Sequence, residues 1–253
     1  MIQPAHLQGL LSQIATSSNN KEINASLPML LRILSKQDGG KYLVQLGKLV
    51  IETNSNKELA VGTNYWANVK QGKEGLIISD LIKQPAILQQ LESSYLKLHT
   101  KDLRELLNES HASGKQIENL FKEFLLERLP LATTKQEFLE LSNLLIALQN
   151  GVFSMVIQDD NGRDRLVQIK KQVDFLEFYS VFLHLGEISG LVMLEDSGIT
   201  ARLQVMSEKV KNILENHLHD LHGFDEIKIE VGQNTPLWDF STLNTAYMLD
   251  LRG

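Results

Sequence analysis

The apolar residues of this chain change their repeat three times, and no other feature of the sequence constrains the fold as strongly. In the first stretch they recur every three or four positions. Leu7, Leu10, Leu11 and Ile14 form one stripe, and Leu27, Leu30, Leu31 and Ile33 form another. That spacing predicts helix from Ala5 to Ser35, interrupted at Ser17–Asn20, with Pro28 in the first turn of the second piece and Gly39-Gly40 ending it. From Lys41 to Ile82 the pattern shortens. Tyr42–Val44, Leu46–Thr53, Thr63–Lys70 and Gly75–Ile82 read as four strands between polar and glycine-bearing turns, which suggests a small β-barrel or curled sheet.

Helical spacing returns between residues 86 and 149. The stripes run through Ile87, Leu88, Leu91, Tyr95 and Leu98, then Leu103, Leu106 and Leu107, then Ile117, Leu120, Phe121, Phe124 and Leu125, then Phe138, Leu141, Leu144, Leu145 and Leu148. Ser113-Gly114 and Pro130 punctuate them, and Thr133-Thr134 with Glu137 reads as an N-cap. After Gly151 strands return. Val152–Gln158 and Arg165–Lys170 flank Asp159-Asp160-Asn161-Gly162, whose Asn-Gly pair signals a hairpin. Phe175–Leu185, Ile188–Glu195 and Ile199–Met206 follow, with turns at Leu185-Gly186-Glu187 and Asp196-Ser197-Gly198. Ser207 then caps a helix whose apolar face holds Val210, Ile213, Leu214, Leu218 and Leu221. Gly223 ends it, and Ile227, Ile229 and Val231 alternate as a last strand. The expected fold is α+β: a helical segment over 1–39, a small β-barrel-like module over 40–82, a helical bundle or connector over 83–150, and a C-terminal α+β domain over 151–253 ending β-β-α-β.

Composition narrows the function. The chain of 253 residues has no cysteine, which removes disulfides, thiolate metal sites and cysteine nucleophiles. Its net charge of -6 disfavours a generic polyanion binder, which needs a basic face. No run reaches the roughly 18 apolar residues of a membrane helix, and Met1–His6 lacks the basic and apolar regions of a secretory signal. Those features predict a soluble, cytoplasmic protein without membrane insertion. Export through a route that uses an uncleaved N-terminal signal stays open.

Several constellations invite a chemical role. His217, His219 and His222 form H-x-H-x-x-H, but helical geometry sets the first two about 200° apart and no fourth ligand is evident. Asp159, Asp160, Asn161 and Asp164 resemble half a calcium loop without its distal glutamate, and a hairpin turn explains them better. Tyr65, Trp66 and Lys70 suggest stacking on single-stranded nucleic acid, although aromatic residues of a small β-module more often pack in its core. Phosphate-binding glycine loops and nucleophile elbows are absent from the sequence. No catalytic residue, cofactor site or metal site is therefore assigned.

The run from Phe182 to Leu218, with its Leu185-Gly186 turn, the strand Ile199–Val205 and a helix opening at Val210 with Leu214 and Leu218 on one face, resembles the C-terminal domain of flagellar hook-length control proteins. The returning strand Ile227–Val231 completes that pattern. A second similarity lies in Leu46–Ile51 followed by Leu59–Gly62, which looks like a small β-module found upstream in some proteins of that kind. Three departures stand out: no proline precedes the Leu-Gly turn, the helix is short because Gly223 arrives about a turn early, and the long Gln/Ser/Pro-rich exported region is missing. The resemblance thus implies the switch-like C-terminal module more than a molecular ruler. It implies a non-enzymatic protein-binding role, with a switch component of the flagellar export apparatus as partner and Leu185, Gly186 and Glu187 as candidate contacts. Two rivals remain: an enzyme with a cleft between the C-terminal sheet and the 86–149 helices, and single-strand nucleic-acid binding through residues 41–82.

Overall fold

The computed structural model describes residues 28–55, 57–71, 76–85, 88, 91, 94–159, 162–196 and 198–240. It is an α+β protein of two compact units. The first unit ends at Gln84 and takes in the turn Leu183–Gly186; the second runs from Pro85 to Phe182 and resumes at Glu187. The expected helix over residues 5–27 lies outside the described residues.

The first unit holds a five-stranded antiparallel sheet. Its strands are β1 (Met29–Lys36), β2 (Lys41–Leu46), β3 (Leu49–Asn54), β4 (Asn64–Gln71) and β5 (Leu76–Lys83), in the order β3-β2-β1-β4-β5. The central strand β1 corrects the expectation of a second N-terminal helix, since Leu30, Leu31 and Ile33 lie on it. The run Leu30-Leu31-Arg32-Ile33 satisfies both periods, and tertiary pairing decides between them. Between β2 and β4, with Leu31 opposite Leu46 and Tyr65, alternation buries Leu31 and Ile33 and exposes Arg32. The single strand expected over 46–53 is a hairpin instead. Leu46 pairs with Leu49 across Gly47-Lys48, and Gly47 takes the first central position with φ 60°. A two-residue turn with positive φ there matches the right-handed twist of the strands it joins. Leu31, Ile33, Tyr42, Val44, Leu46, Tyr65 and Ala67 form the core of this unit.

The second unit is built on a seven-stranded sheet of order β12-β11-β10-β9-β8-β7-β6. β6 (Lys97–His99) lies parallel to β7 (Val152–Gln158), and the crossover between them contains α1 (Thr100–Ser113), α2 (Ile117–Arg128) and α3 (Lys135–Gln149). β8 (Asp164–Lys171), β9 (Phe175–Phe182), β10 (Gly186–Glu195) and β11 (Gly198–Val205) follow as neighbours, and α4 (Glu208–Asn216) crosses from β11 to its parallel partner β12 (Glu226–Val231). A parallel pair needs such a crossover, so both ends of the sheet are closed by helix-bearing connections.

The caps follow the sequence. Thr134 Oγ1 accepts from Glu137 N–H at 3.1 Å, while Glu137 Oε2 accepts from Thr133 N–H at 2.8 Å. Ser207 Oγ accepts from Val210 N–H, and α1 stops at Gly114 in the left-handed region. Phe121 and Leu125 of α2, Leu141 and Leu144 of α3, and Phe153 and Met155 of β7 form the main core, with the Phe121 and Phe153 rings edge to face at 4.7 Å.

Expectations change at three places in this stretch of chain. Tyr95 and Leu98, both placed on a helical stripe, lie in a bend and on β6. The helix over 207–222 stops at Asn216 and gives way to a 3-10 turn over Leu218–Asp220, which carries Leu218 and leaves Leu221 beyond it. The turn between β9 and β10 comprises Leu183, His184 and Leu185, so Gly186 and Glu187 already belong to β10. The β-β-α-β order of β10, β11, α4 and β12 is present as expected.

Candidate functional site

The three nominated contact residues are not a displayed loop. Leu185 is half-buried, Gly186 is buried with φ 79°, and Glu187 is half-buried. Within the first unit, the Trp66 indole Nε1 donates to the Leu183 carbonyl oxygen at 2.7 Å, which occupies the same turn. Glu187 is held at three atoms. Its Oε1 accepts from the Tyr179 hydroxyl at 2.6 Å, its backbone oxygen accepts from Asn234 Nδ2 at 3.2 Å, and its backbone N–H points at Met206 Sδ. Burial raises the pKa of the Glu187 carboxyl above the ordinary carboxylate range, and the Tyr179 hydrogen bond opposes that shift in part. Burial and the neighbouring carboxylate push the Tyr179 phenol well above its ordinary value.

A carboxyl with a raised folded-state pKa stabilises the fold most below its unfolded pKa. That contribution is lost as pH climbs through the folded value. We therefore expect Glu187→Gln, which keeps an acceptor for Tyr179, to raise the melting temperature of the protein at neutral pH and to flatten its fall above pH 4.5. Thermal melts of both proteins across that range check this; equal slopes would contradict it.

The other nominated groups have structural duties. Tyr65 and Trp66 are 8% and 1% exposed, and the Tyr65 hydroxyl accepts from Ala60 N–H at 3.2 Å, so neither ring offers a face for base stacking. Asp159 holds its own hairpin: Oδ1 accepts from Arg163 N–H and Oδ2 from Arg165 Nη2, both within 2.9 Å. Asp160 and Asn161 lie outside the described residues. His217 and His219 turn toward opposite oxygens of Asp220, at 3.2 and 3.4 Å, on an exposed 3-10 turn. His222 is exposed beyond it. Among the described residues no cluster of three or more His, Cys, Asp or Glu side chains can hold a metal ion.

Sequence reasoning missed the feature that organises this region, a strap over residues 232–240 that crosses one face of the sheet. It leaves β12 with Gly232 N–H donating to Val205 O at 2.9 Å. Asn234 then meets β10, accepting from Ser189 Oγ at 2.6 Å and donating to Glu187 O. Trp238 reaches β8, where Gln168 grips its backbone on both sides. Gln168 Nε2 donates to Trp238 O at 2.9 Å, and Gln168 Oε1 accepts from Trp238 N–H at 3.1 Å. The Trp238 indole donates to Asn143 Oδ1 on α3 at 2.9 Å, and Asn143 Nδ2 donates to Phe240 O. Ser154, Gln168, Tyr179, Glu187 and Ser189 share the covered face by register and hydrogen bonding. Their polar character is the signal in the sequence that backbone crosses this face.

Phe240 ends the strap at the wall of a cavity of about 540 Å³ inside the second unit. Leu96, Leu98, Phe121, Leu144, Met155 and Leu166 are among its apolar lining, with Lys135, Gln136, Leu139 and Glu140 along one side. Glu140 is committed to the segment before β6. It accepts from the Ser94 hydroxyl, from Tyr95 N–H at 2.9 Å and from Leu96 N–H at 3.3 Å. Tyr179 and Glu187, the pair with raised pKa values, do not line it.

Comparison of the chain with family models, with curated proteins and with solved structures finds no match. No helix among the described residues is long and apolar enough to cross a membrane.

Proposed function

We propose that this protein is a non-enzymatic, cytoplasmic protein-binding module of the kind the hook-length control resemblance implies, engaging a switch component of the flagellar export apparatus. One observation carries the reading. The segment that resembles the family's C-terminal domain folds with its elements in the family's order, as β10, β11, α4 and β12. Support from the residues is more local. Leu185 and Glu187 are half-buried and Gly186 is buried, whereas the far end of the β10–β11 hairpin carries exposed side chains. There Leu194 faces Ile199 in register, with the two residues 79% and 39% exposed, beside the acidic Glu195 and Asp196. An exposed apolar pair with a charged rim is the usual anatomy of an interaction anchor.

The test is to capture the export-apparatus switch component with the purified full chain and to delete the gene in its host. Binding, together with altered hook length or motility, is the expected result. Normal hooks, normal swimming and no such partner would sink the reading. Leu194→Asp should weaken capture at least tenfold, equivalent to about 1.4 kcal/mol, with the melting temperature unchanged. Undiminished capture by that variant would move the anchor elsewhere.

A further inference from the structure

The cavity of the second unit has a chemistry of its own, which becomes visible when each polar group on its wall is accounted for. Glu140 is saturated by the Ser94 hydroxyl and two backbone N–H groups. Asn143 holds the Trp238 indole and the Phe240 carbonyl. Ser154 faces Gln168 Nε2. None of these has a strong reason to release its partner for a ligand, because doing so would leave a buried polar atom unsatisfied. What remains for a ligand is an apolar body walled by Leu96, Leu98, Phe121, Leu144, Met155 and Leu166, plus two exposed polar side chains at one place, Lys135 and Gln136. Lys135 makes no ion pair among the described residues. It sits on the first turn of α3, where the helix amino end also favours negative charge. The volume, about 540 Å³, falls within the roughly 300–1,000 Å³ of small-molecule pockets. The apolar part of that wall suits a hydrocarbon chain.

We propose that the cavity is a binding site for a single-headed anionic amphiphile, a straight-chain carboxylate. Its alkyl chain lies between α3 and the β7–β8 strands and its head group meets Lys135 and Gln136. Apolar lining supplies the affinity and the Lys135 ammonium orients the chain. Glu140, whose three partners are neutral and leave its negative charge in place, reinforces that orientation by holding a negative head at the Lys135 end, so binding selects for a negative head over a neutral or positive one. The site is independent of the hairpin end assigned to protein binding, and either assignment stands if the other fails.

The experiment uses the full chain and laurate below its micelle-forming concentration, followed by calorimetry and by displacement of dansylated undecanoate. Dodecanol and dodecylamine serve as head-group controls. Expected are one saturable laurate site, binding at least about fivefold weaker for dodecanol, and weaker still for dodecylamine. Lys135→Glu should reduce laurate affinity by about fivefold or more while leaving dodecanol unaffected. Leu139→Trp, at a lining position that is 42% exposed, should block laurate and dodecanol alike. Both changes fall at accessible positions, and matching thermal melts establish that the variants fold. Absence of saturable laurate binding overturns the proposal. So does dodecylamine binding as tightly as laurate, or laurate affinity that neither substitution alters.

Discussion

Gln168→Leu should destabilise the second unit by about 2–4 kcal/mol and release the strap, although leucine is nearly the size of glutamine and far more apolar. Gln168 is fully buried on β8, so by area alone the substitution should help. The opposite sign follows from what the amide holds. It supplies a donor to Trp238 O and an acceptor to Trp238 N–H, in effect standing in for a strand neighbour that the strap does not have. Removing it leaves both backbone groups of a partly buried residue without partners, at roughly 1–3 kcal/mol each. It also removes a donor from Ser154. Chemical denaturation of the full chain would measure the loss, and limited proteolysis would locate it, with cleavage appearing near residues 232–240. Gln168→Glu separates the donor from the acceptor: it retains an oxygen for Trp238 N–H but opposes Trp238 O with another oxygen, so it too should loosen the strap. A stable Gln168→Leu variant with an uncut strap would mean that Trp238 is held by its ring alone.

The strap shows why some of this structure was legible in the sequence and some was not. Helices α1 to α3, the Asp159–Arg163 hairpin and the β10-β11-α4-β12 order are written in local patterns: stripes, caps and turn residues within a few positions of one another. Thr134 and Glu137 make a cap by contacts three residues apart, and so it can be read. β1 could not be read in that way, because Leu30-Leu31-Arg32-Ile33 suits a helix as well as a strand until β2 and β4 flank it. β6 is only three residues long and exists through parallel pairing with β7, whose partner residues lie about sixty positions later. The strap has no repeat at all. Its course is fixed by Gln168 and Asn143, 70 and 95 residues from Trp238. The same holds for the candidate sites. The resemblance drew attention to Leu185, Gly186 and Glu187, but an apolar residue beside a glycine turn reads identically whether it is displayed or enclosed. The cavity has no sequence signature, because its lining is drawn from six separate segments and its character depends on which polar groups are already paired.

Gly190→Ala should be among the most damaging single-methyl changes available to this chain, costing about 3 kcal/mol or more. A backbone conformation that only glycine adopts is not the reason, since Gly190 is an ordinary residue of β10 opposite Leu203 on β11. The reason is space. A Cβ at this position would fall well under 3.0 Å from the Arg202 carbonyl oxygen and 2.9 Å from Phe178 Cε1. The Phe178 ring could turn aside, but the carbonyl belongs to the β11 backbone and cannot move without parting the ladder that leads into α4. Overpacking of a core by one methyl group usually costs about 1–3 kcal/mol through side-chain rearrangement, and a backbone neighbour that cannot yield places this site at or beyond the upper end. Gly47→Ala provides the contrast. Its Cβ meets nothing within 4 Å, yet φ is 60°, so its cost is conformational and should stay near 1 kcal/mol. Denaturation midpoints of the two variants, measured side by side, distinguish steric from conformational use of glycine. The functional consequence differs as well. Gly190 lies in the β10–β11 pair whose far end carries Leu194 and Ile199, so parting that pair should abolish partner capture, whereas Gly47→Ala, in the sheet of the other unit, should leave capture intact. Equal tolerance of both changes would show that β10 and β11 do not approach as closely as the glycine requires.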